Sequence, residues 1–312
     1  MTYTQGLVIQ AVDYNTFRTN ALSVYGVGTG NNGYGQTGIT LPTVVAAVDV
    51  VESLEWTNLR NMIEVCALHQ GTGTALIPPV ASLQVGDTVI AHDGITDVDN
   101  IPLMLTNINT NRLNSAVGDM TVLAGVRVVT GATAWNTSVT ATVAFDFTNE
   151  NNARWFFNSG GEIRLTMTRA GGTVSPQNTA WTNLLNNIGT ISMNHNDTDR
   201  SGTVGTALTI GYYNLTGAFQ DILTATMTAA NYTTNTVTVR ARRLNFVGAN
   251  GGNGDTVEIR FILTDAHTGP SDTVNGTFTA TFDLYKATSG GQLSSPNIVT
   301  PTDTVTGALT YV

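Results

Sequence analysis

The sequence has 312 residues, a formal net charge of −9 and only 11% charged residues, whereas soluble domains average about 25%. With Lys286 as its single lysine and scattered arginines, it lacks the basic face of a duplex-binding protein, so we expect no nucleic-acid partner. The N-terminus has no signal-like apolar run and no segment approaches the roughly 20 apolar residues of a membrane span, so we expect neither export nor membrane insertion. One cysteine, Cys66, excludes an intrachain disulfide framework and fits synthesis in a reducing cytosol.

Glycine, threonine and asparagine take the surface role that lysine and glutamate have in most proteins. Threonine forms strands well and hydrogen-bonds to water without a charge. Long threonine-rich alternating segments therefore predict sheets whose outer face is polar but neutral. Such a surface suits a subunit that packs closely against copies of itself, where many like charges would repel; secreted adhesins share this profile.

Residues 1–70 predict a helical anchoring module. Asp13 is placed to cap a helix that runs to Tyr25, and a glycine-rich connector follows at 26–38. Residues 44–51 predict a short strand or an extended lead-in, and Ser53 is placed to cap a second helix. The expected buried stripes, at helical spacing, consist of Phe17, Ala21, Val24 and Tyr25 in the first helix and of Trp56, Leu59, Ile63 and Cys66 in the second.

Residues 71–118 form a mixed linker region in this interpretation. Two adjacent prolines interrupt it, residues 83–91 predict a strand, and residues 99–115 predict a third helix. Pro102 then has to lie in the first turn of that helix, where proline is tolerated.

From Met120 onward the apolar period changes from 3.6 to 2, which predicts antiparallel sheets with one buried face. We expect a mainly β region at 119–290, an antiparallel β-sandwich or jelly roll. One helix at 176–188, capped by Ser175 and ended by Gly189, should bury Trp181 against a sheet. The alternating segments lie at 139–147, 163–167, 237–241, 257–263 and 278–284.

The last segment, residues 291–312, has no core pattern and is expected to be an extended tail. Two roles stay open for it: it packs as a strand, or it reaches a neighbouring subunit.

We find no catalytic, cofactor-binding or metal-ligating set and expect a non-enzymatic protein. The glycine-rich stretch at 28–35 lacks the lysine of a phosphate-binding loop. Residues 197–202 resemble the opening of a calcium loop, but Leu208 stands where a bidentate glutamate is expected, so they predict a surface turn. No histidine has a second ligand at zinc-like spacing; the four are His69, His92, His195 and His267.

Two clusters suggest contacts. Arg240 and Arg242 share one strand face, with Arg243 beside them, and predict either a solvated face or salt bridges between subunits to acids such as Glu258 or Asp283. The aromatic run at 155–157 precedes a glycine pair, and three adjacent side chains of a strand cannot all face one core. We therefore expect at least one of them to be exposed or at a contact.

Three parts of the chain together resemble one protein family. They are 13–38 with 55–73, then 153–193, which contains FFNSGGEIR, and 253–290, which contains DAHTG. These segments resemble virion structural proteins of contractile-tailed marine phages, especially phages of cyanobacteria. The resemblance implies a tail, fibre, baseplate or neck component, located in the virion with other virion proteins as partners, and it supplies no catalytic residues. The low charge and the apolar fraction of 41% add copies of the same chain as expected partners.

Two other functions stay open. A receptor-binding module would recognise host surface glycan through exposed aromatics beside amides, for which the sequence offers Trp155, Asn158, Tyr212, Tyr213 and Asn214. A capsid-associated decoration protein is the other alternative.

Overall fold

A computed structural model describes residues 11–44, 51–72, 101–246, 254–269, 273–293 and 300–312. The described chain is mainly β, with two antiparallel sheets and five α-helices, which confirms the predicted fold class. It divides into two compact units. We call Met1–Thr121, Arg154–Gly160 and Ala287–Ile298 the helical unit, and Val122–Ala153, Gly161–Lys286 and Val299–Val312 the β unit.

The helical unit contains the two predicted N-terminal helices, α1 (Ala11–Tyr25) and α2 (Ser53–Gln70). Both predicted stripes are buried. Both predicted caps are wrong. Asp13 lies inside the first turn of α1, and the cap of α2 is Glu52, whose side chain and that of Glu55 bond to each other's backbone N–H. A carboxylate there satisfies orphan N–H groups and complements the positive helix end.

The third helix, α3 (Ile101–Thr110), is shorter than the predicted 99–115. Pro102 lies in its first turn as expected, but Arg112 follows the helix in a turn, from which its guanidinium donates to the carbonyl of Asn31. The predicted strand at 83–91 lies outside the described residues, as does 44–51 except for its two ends, which are not in a strand.

The glycine-rich segment predicted to be a connector contains a loop held by Arg154. We call residues 26–35 the glycine loop. The Arg154 guanidinium is fully buried and donates to the backbone carbonyls of Val27 (3.0 Å), Gly28 (3.3 Å), Gly30 (2.6 Å) and Asn32 (3.1 Å). Five N–H donors in a planar fork let one arginine satisfy several carbonyls of a tight loop at once.

The aromatic run belongs to α4 (Glu150–Asn158), a helix that we did not predict. Trp155, Phe156 and Phe157 are all buried, so the expectation of an exposed member is wrong. A helix turns about 100° per residue, so three adjacent side chains need not alternate between two faces as they do in a strand. The Trp155 indole donates to the Val27 carbonyl (3.0 Å), and its ring occupies the space that a Cβ on Gly35 would need.

In the β unit, the described strands form two sheets in the orders β1-β10-β3-β4-β5 and β11-β2-β9-β8-β7-β6. Inward side chains of the two sheets meet in a common core, where Phe145 packs on Phe282 (5.6 Å between ring centroids) and Phe261 on Phe278 (5.4 Å). Every predicted alternating segment forms a strand with its apolar residues buried. The strands are β1 (Met120–Gly131), β2 (Ser138–Asp146), β3 (Glu162–Ala170), β4 (Thr190–Met193), β5 (Thr198–Arg200), β6 (Thr206–Ala207), β7 (Gln220–Thr226), β8 (Thr236–Leu244), β9 (Thr256–Thr264), β10 (Thr277–Ala287) and β11 (Thr302–Tyr311).

The predicted helix at 176–188 is confirmed as α5 (Pro176–Ile188). The Ser175 side chain accepts from the Asn178 N–H (3.1 Å), and Gly189 is the C-cap. Trp181 is fully buried, with its ring 4.9 Å from that of Trp135. The region 119–290, for which we predicted one α-helix, therefore contains two, α4 and α5.

Of the two roles left open for the tail, the structure shows the strand. Residues Thr302–Tyr311 pair antiparallel with β2, from Thr302 opposite Asp146 to Tyr311 opposite Val139. The pairing has two register shifts, around Gly307, and no residue of β11 is buried. Every second residue of β11, among them Val305, Leu309 and Tyr311, is half-buried, so the strand covers the sheet edge without entering the core.

Candidate functional site: a polar groove on the five-stranded sheet

His69 is buried in the last turn of α2, where both ring nitrogens face oxygen atoms. Its Nε2 lies 3.1 Å from the Ser159 carbonyl oxygen and its Nδ1 lies 3.3 Å from Oδ2 of Asp119. Burial lowers the pKa of His69, and it outweighs the opposing effects of the Asp119 carboxylate and the Ser159 carbonyl. The His69 ring is fully buried, whereas the Asp119 side chain keeps 15% of its surface exposed.

The other predicted candidates for chemistry are dispersed. His92 lies outside the described residues, and the His267 ring packs edge-on against Tyr232 (4.9 Å between centroids). Cys66 is fully buried, and burial raises the pKa of its thiol, which leaves it a small apolar side chain. Among the described residues, no group of three histidine, cysteine or acidic side chains is placed to hold a metal ion.

The calcium-like segment at 197–202 forms a short strand rather than only a turn. Residues Thr198–Arg200 make β5, which pairs with β4 through Asp199 opposite Ser192. The Asp197 carboxylate accepts from the side chain of Asn194, and Arg200 donates to the carbonyls of Gly202 and Gly205 (2.7 Å for Gly205). The acidic side chains of this segment instead line a groove.

A row of polar residues crosses the outer face of the five-stranded sheet. Asp283 of β10 is opposite Arg164 of β3, which is opposite Ser192 of β4, which is opposite Asp199 of β5. Paired residues of antiparallel strands place their side chains on one face. The alternation of Ile163, Leu165 and Met167 in the core thus turns these polar side chains outward.

This face carries a groove of about 490 Å³ in the β unit. Its lining is mostly polar and consists of Glu162, Arg164, Ser192, Asn194, Asp197, Thr198, Asp199, Arg200, Ser201, Ala207, Leu208 and Thr209. Arg164 is fixed from two directions: its Nε lies 2.7 Å from Oε2 of Glu162, and its guanidinium lies 4.0 Å over the Tyr285 ring.

The predicted arginine cluster lies on the outer face of the six-stranded sheet. Arg242 pairs with Glu258 (2.6 Å) and Arg240 with Asp221 (2.6 Å). Both ion pairs form within the chain, so these two arginines do not need a carboxylate from another subunit. Phe219 lies between two guanidinium groups, 4.3 Å from that of Arg242 and 3.9 Å from that of Arg260. Asp283, the other predicted partner, instead accepts from the backbone N–H of Gly125 (2.6 Å).

Of the five residues predicted to form a glycan platform, three are buried, whereas Tyr213 is half-buried and Asn214 is exposed. Trp155 and Asn158 are buried in the helical unit, where the Asn158 amide donates to the Gly33 carbonyl (2.9 Å). Tyr212 is buried in the β unit, and its hydroxyl donates to the Gly254 carbonyl (2.8 Å). The groove was missed because its residues come together only by strand pairing, and a partial signal lay in the alternation of Glu162 and Arg164 with apolar residues.

Among the described helices, none combines the length and apolar character needed to span a bilayer. Comparison of the chain with protein-family models, with curated proteins and with solved structures finds no match.

Proposed function

We propose that the chain is a non-enzymatic structural subunit of a bacteriophage particle, a tail-associated component of the fibre, baseplate or neck that self-assembles or docks on the virion. The edge strands of the β unit carry this proposal. β11 and β1 are terminal strands of their sheets, and apart from Arg127 and Asp303 both are uncharged. Those two side chains pair with each other, which leaves a neutral rim.

A neutral edge is unusual for a monomer, because exposed sheet edges generally carry charges, above all lysine, that prevent pairing with other chains. Val122 and Val128 on β1 are 46% and 48% exposed. Gly125, at φ 61°, interrupts the edge of β1, and the two register shifts interrupt the edge of β11. Val126–Gly131 is then the longest uninterrupted part of β1 to which a strand of a second copy can pair. The resemblance to phage virion proteins supports the same role and adds other virion proteins as partners.

The copy number per particle tests this proposal. Quantitative mass spectrometry of purified particles should find the chain in every virion, at single digits to about a dozen copies for a fibre, baseplate or neck part with closed symmetry. Hundreds of copies would support a tail-body or capsid-decoration role instead. Absence from purified particles would overturn a virion role altogether.

The receptor-binding alternative loses its predicted platform, since Trp155, Asn158 and Tyr212 are buried. It keeps support from the polar groove, which lies on a different surface of the β unit.

A further inference from the structure

The groove is lined by polar side chains whose positions are set before any ligand arrives. Arg164 is held by Glu162 and Tyr285, Asn194 by Asp197, and Arg200 by two backbone carbonyls. All of these residues lie on or beside paired strands of one sheet. Side chains that are already ordered lose little conformational entropy on binding, which is a property of binding sites rather than of ordinary solvated surface.

The balance of charges selects among ligands. Three carboxylates, those of Glu162, Asp197 and Asp199, line the groove with two guanidinium groups, those of Arg164 and Arg200. A polyanion would meet an excess of negative charge, and an apolar ligand would leave the polar side chains of the groove without hydrogen-bond partners. A metal ion is not favoured either, because the described residues offer no suitable group of three ligands.

A sugar hydroxyl suits this mixture, since it both donates and accepts a hydrogen bond. It can donate to a carboxylate such as Asp199 while it accepts from a guanidinium or amide such as Arg164 or Asn194. The hydroxyls of Ser192, Ser201 and Thr209 extend the same chemistry along the groove. The volume of about 490 Å³ lies in the range of small-molecule binding sites and is large enough for a short oligosaccharide.

We propose that the groove lined by Glu162, Arg164 and Asp199 is a binding site for a neutral oligosaccharide. The proposal goes beyond a structural role, and its failure would leave the self-assembly proposal standing. It also places saccharide recognition on the five-stranded sheet rather than on the buried aromatic residues.

Titration of the full chain with neutral oligosaccharides tests the proposal, with calorimetry and ligand-observed NMR as readouts. The probes are short oligomers of glucose, galactose, mannose and N-acetylglucosamine, with oligogalacturonate as the acidic comparator. At least one neutral probe should bind, and Asp199→Ala should weaken it about tenfold or more, since a hydrogen bond to a charged group is lost. Ser192→Ala should weaken the same probe less.

The matched control is Asp221→Ala, which removes a half-exposed aspartate of the other sheet, paired there with Arg240. It should bind like the wild type. Asp199 is exposed, so its variant should keep the wild-type melting temperature and any loss is a loss of binding. The proposal is overturned if no neutral probe binds below about 10 mM, if Asp199→Ala binds like the wild type, or if oligogalacturonate binds more tightly. Binding that disappears with EDTA would also overturn it, in favour of a cation site.

Discussion

In the β unit, strands such as β3 and β10 bury every second side chain against neighbouring strands. In the helical unit, the glycine loop is held by Arg154, which lies 124 residues from Gly30 in sequence. The first kind of stabilisation is repeated along many strands, so no single polar bond decides it. The second depends on one buried guanidinium and on the carbonyls that it satisfies. Loss of one group should therefore affect the two units differently.

Arg154→Ala should have the largest effect, and it should act on the helical unit. The variant removes the guanidinium from four backbone carbonyls, of which that of Val27 keeps the Trp155 indole as a donor, and each group left unsatisfied costs about 1–3 kcal/mol. We expect a loss of at least about 3 kcal/mol in the free energy of unfolding of this unit. Hydrogen exchange read by mass spectrometry should show lost protection at 26–35 while β8 and β9 stay protected.

Arg154→Lys is the matched control for charge. Lysine keeps the positive charge but lacks the planar fork of donors, so the loss should be intermediate. Wild-type protection of residues 26–35 in Arg154→Ala would contradict the account of the loop.

Trp181→Ala should have the next largest effect, and it should act on the β unit. Trp181 is fully buried beside Trp135, and truncation of a buried aromatic side chain typically costs ~3–5 kcal/mol. The melting temperature should fall by many degrees, and Trp181→Phe should restore part of it. Wild-type stability combined with lost assembly or binding would move α5 from the core to a functional surface.

A smaller, pH-dependent effect should come from His69. Its folded pKa lies below the ordinary 6.5 because the ring is buried, so the unfolded chain binds the proton more readily. The stability of the helical unit should therefore decrease as the pH falls through about 6.5, by at most about 1.4 kcal/mol per pH unit for one proton. Denaturant titrations between pH 8 and about 5.5 measure this slope.

His69→Gln is the control, because glutamine does not titrate. Its stability should be lower at pH 8 but nearly constant over the same window. A slope that persists in His69→Gln would contradict the assignment.

These units also differ in how well the sequence predicts them. Period-2 alternation is a local signal, so the predicted strands follow from it. The ends of α5 are marked locally as well, by Ser175, Pro176 and Gly189. The burial of Arg154 and of the α4 aromatics depends on carbonyls of a loop more than 120 residues away. No local pattern encodes such a contact, and glycines that permit a tight loop resemble glycines that permit a flexible one.

The groove falls between these cases. Alternation predicts that Glu162 and Arg164 face outward, but only the strand order and register place them opposite Ser192 and Asp199. Sequence separation hides this pairing, because β3 and β4 are separated by α5. The same holds for the neutral edge: Arg127 and Asp303 are 176 residues apart, and their mutual neutralisation requires the fold.

The molar mass of the purified chain, measured by light scattering over a range of concentrations, tests the self-assembly claim most directly. The wild type should form oligomers, and Val128→Lys should shift it toward monomer, because a charge in the middle of an edge run opposes strand addition. Val174→Lys is the matched control, since Val174 is fully exposed outside the strands, and it should assemble like the wild type. A wild-type chain that stays monomeric at high concentration, or a Val128→Lys variant that assembles as well as Val174→Lys, would contradict the account.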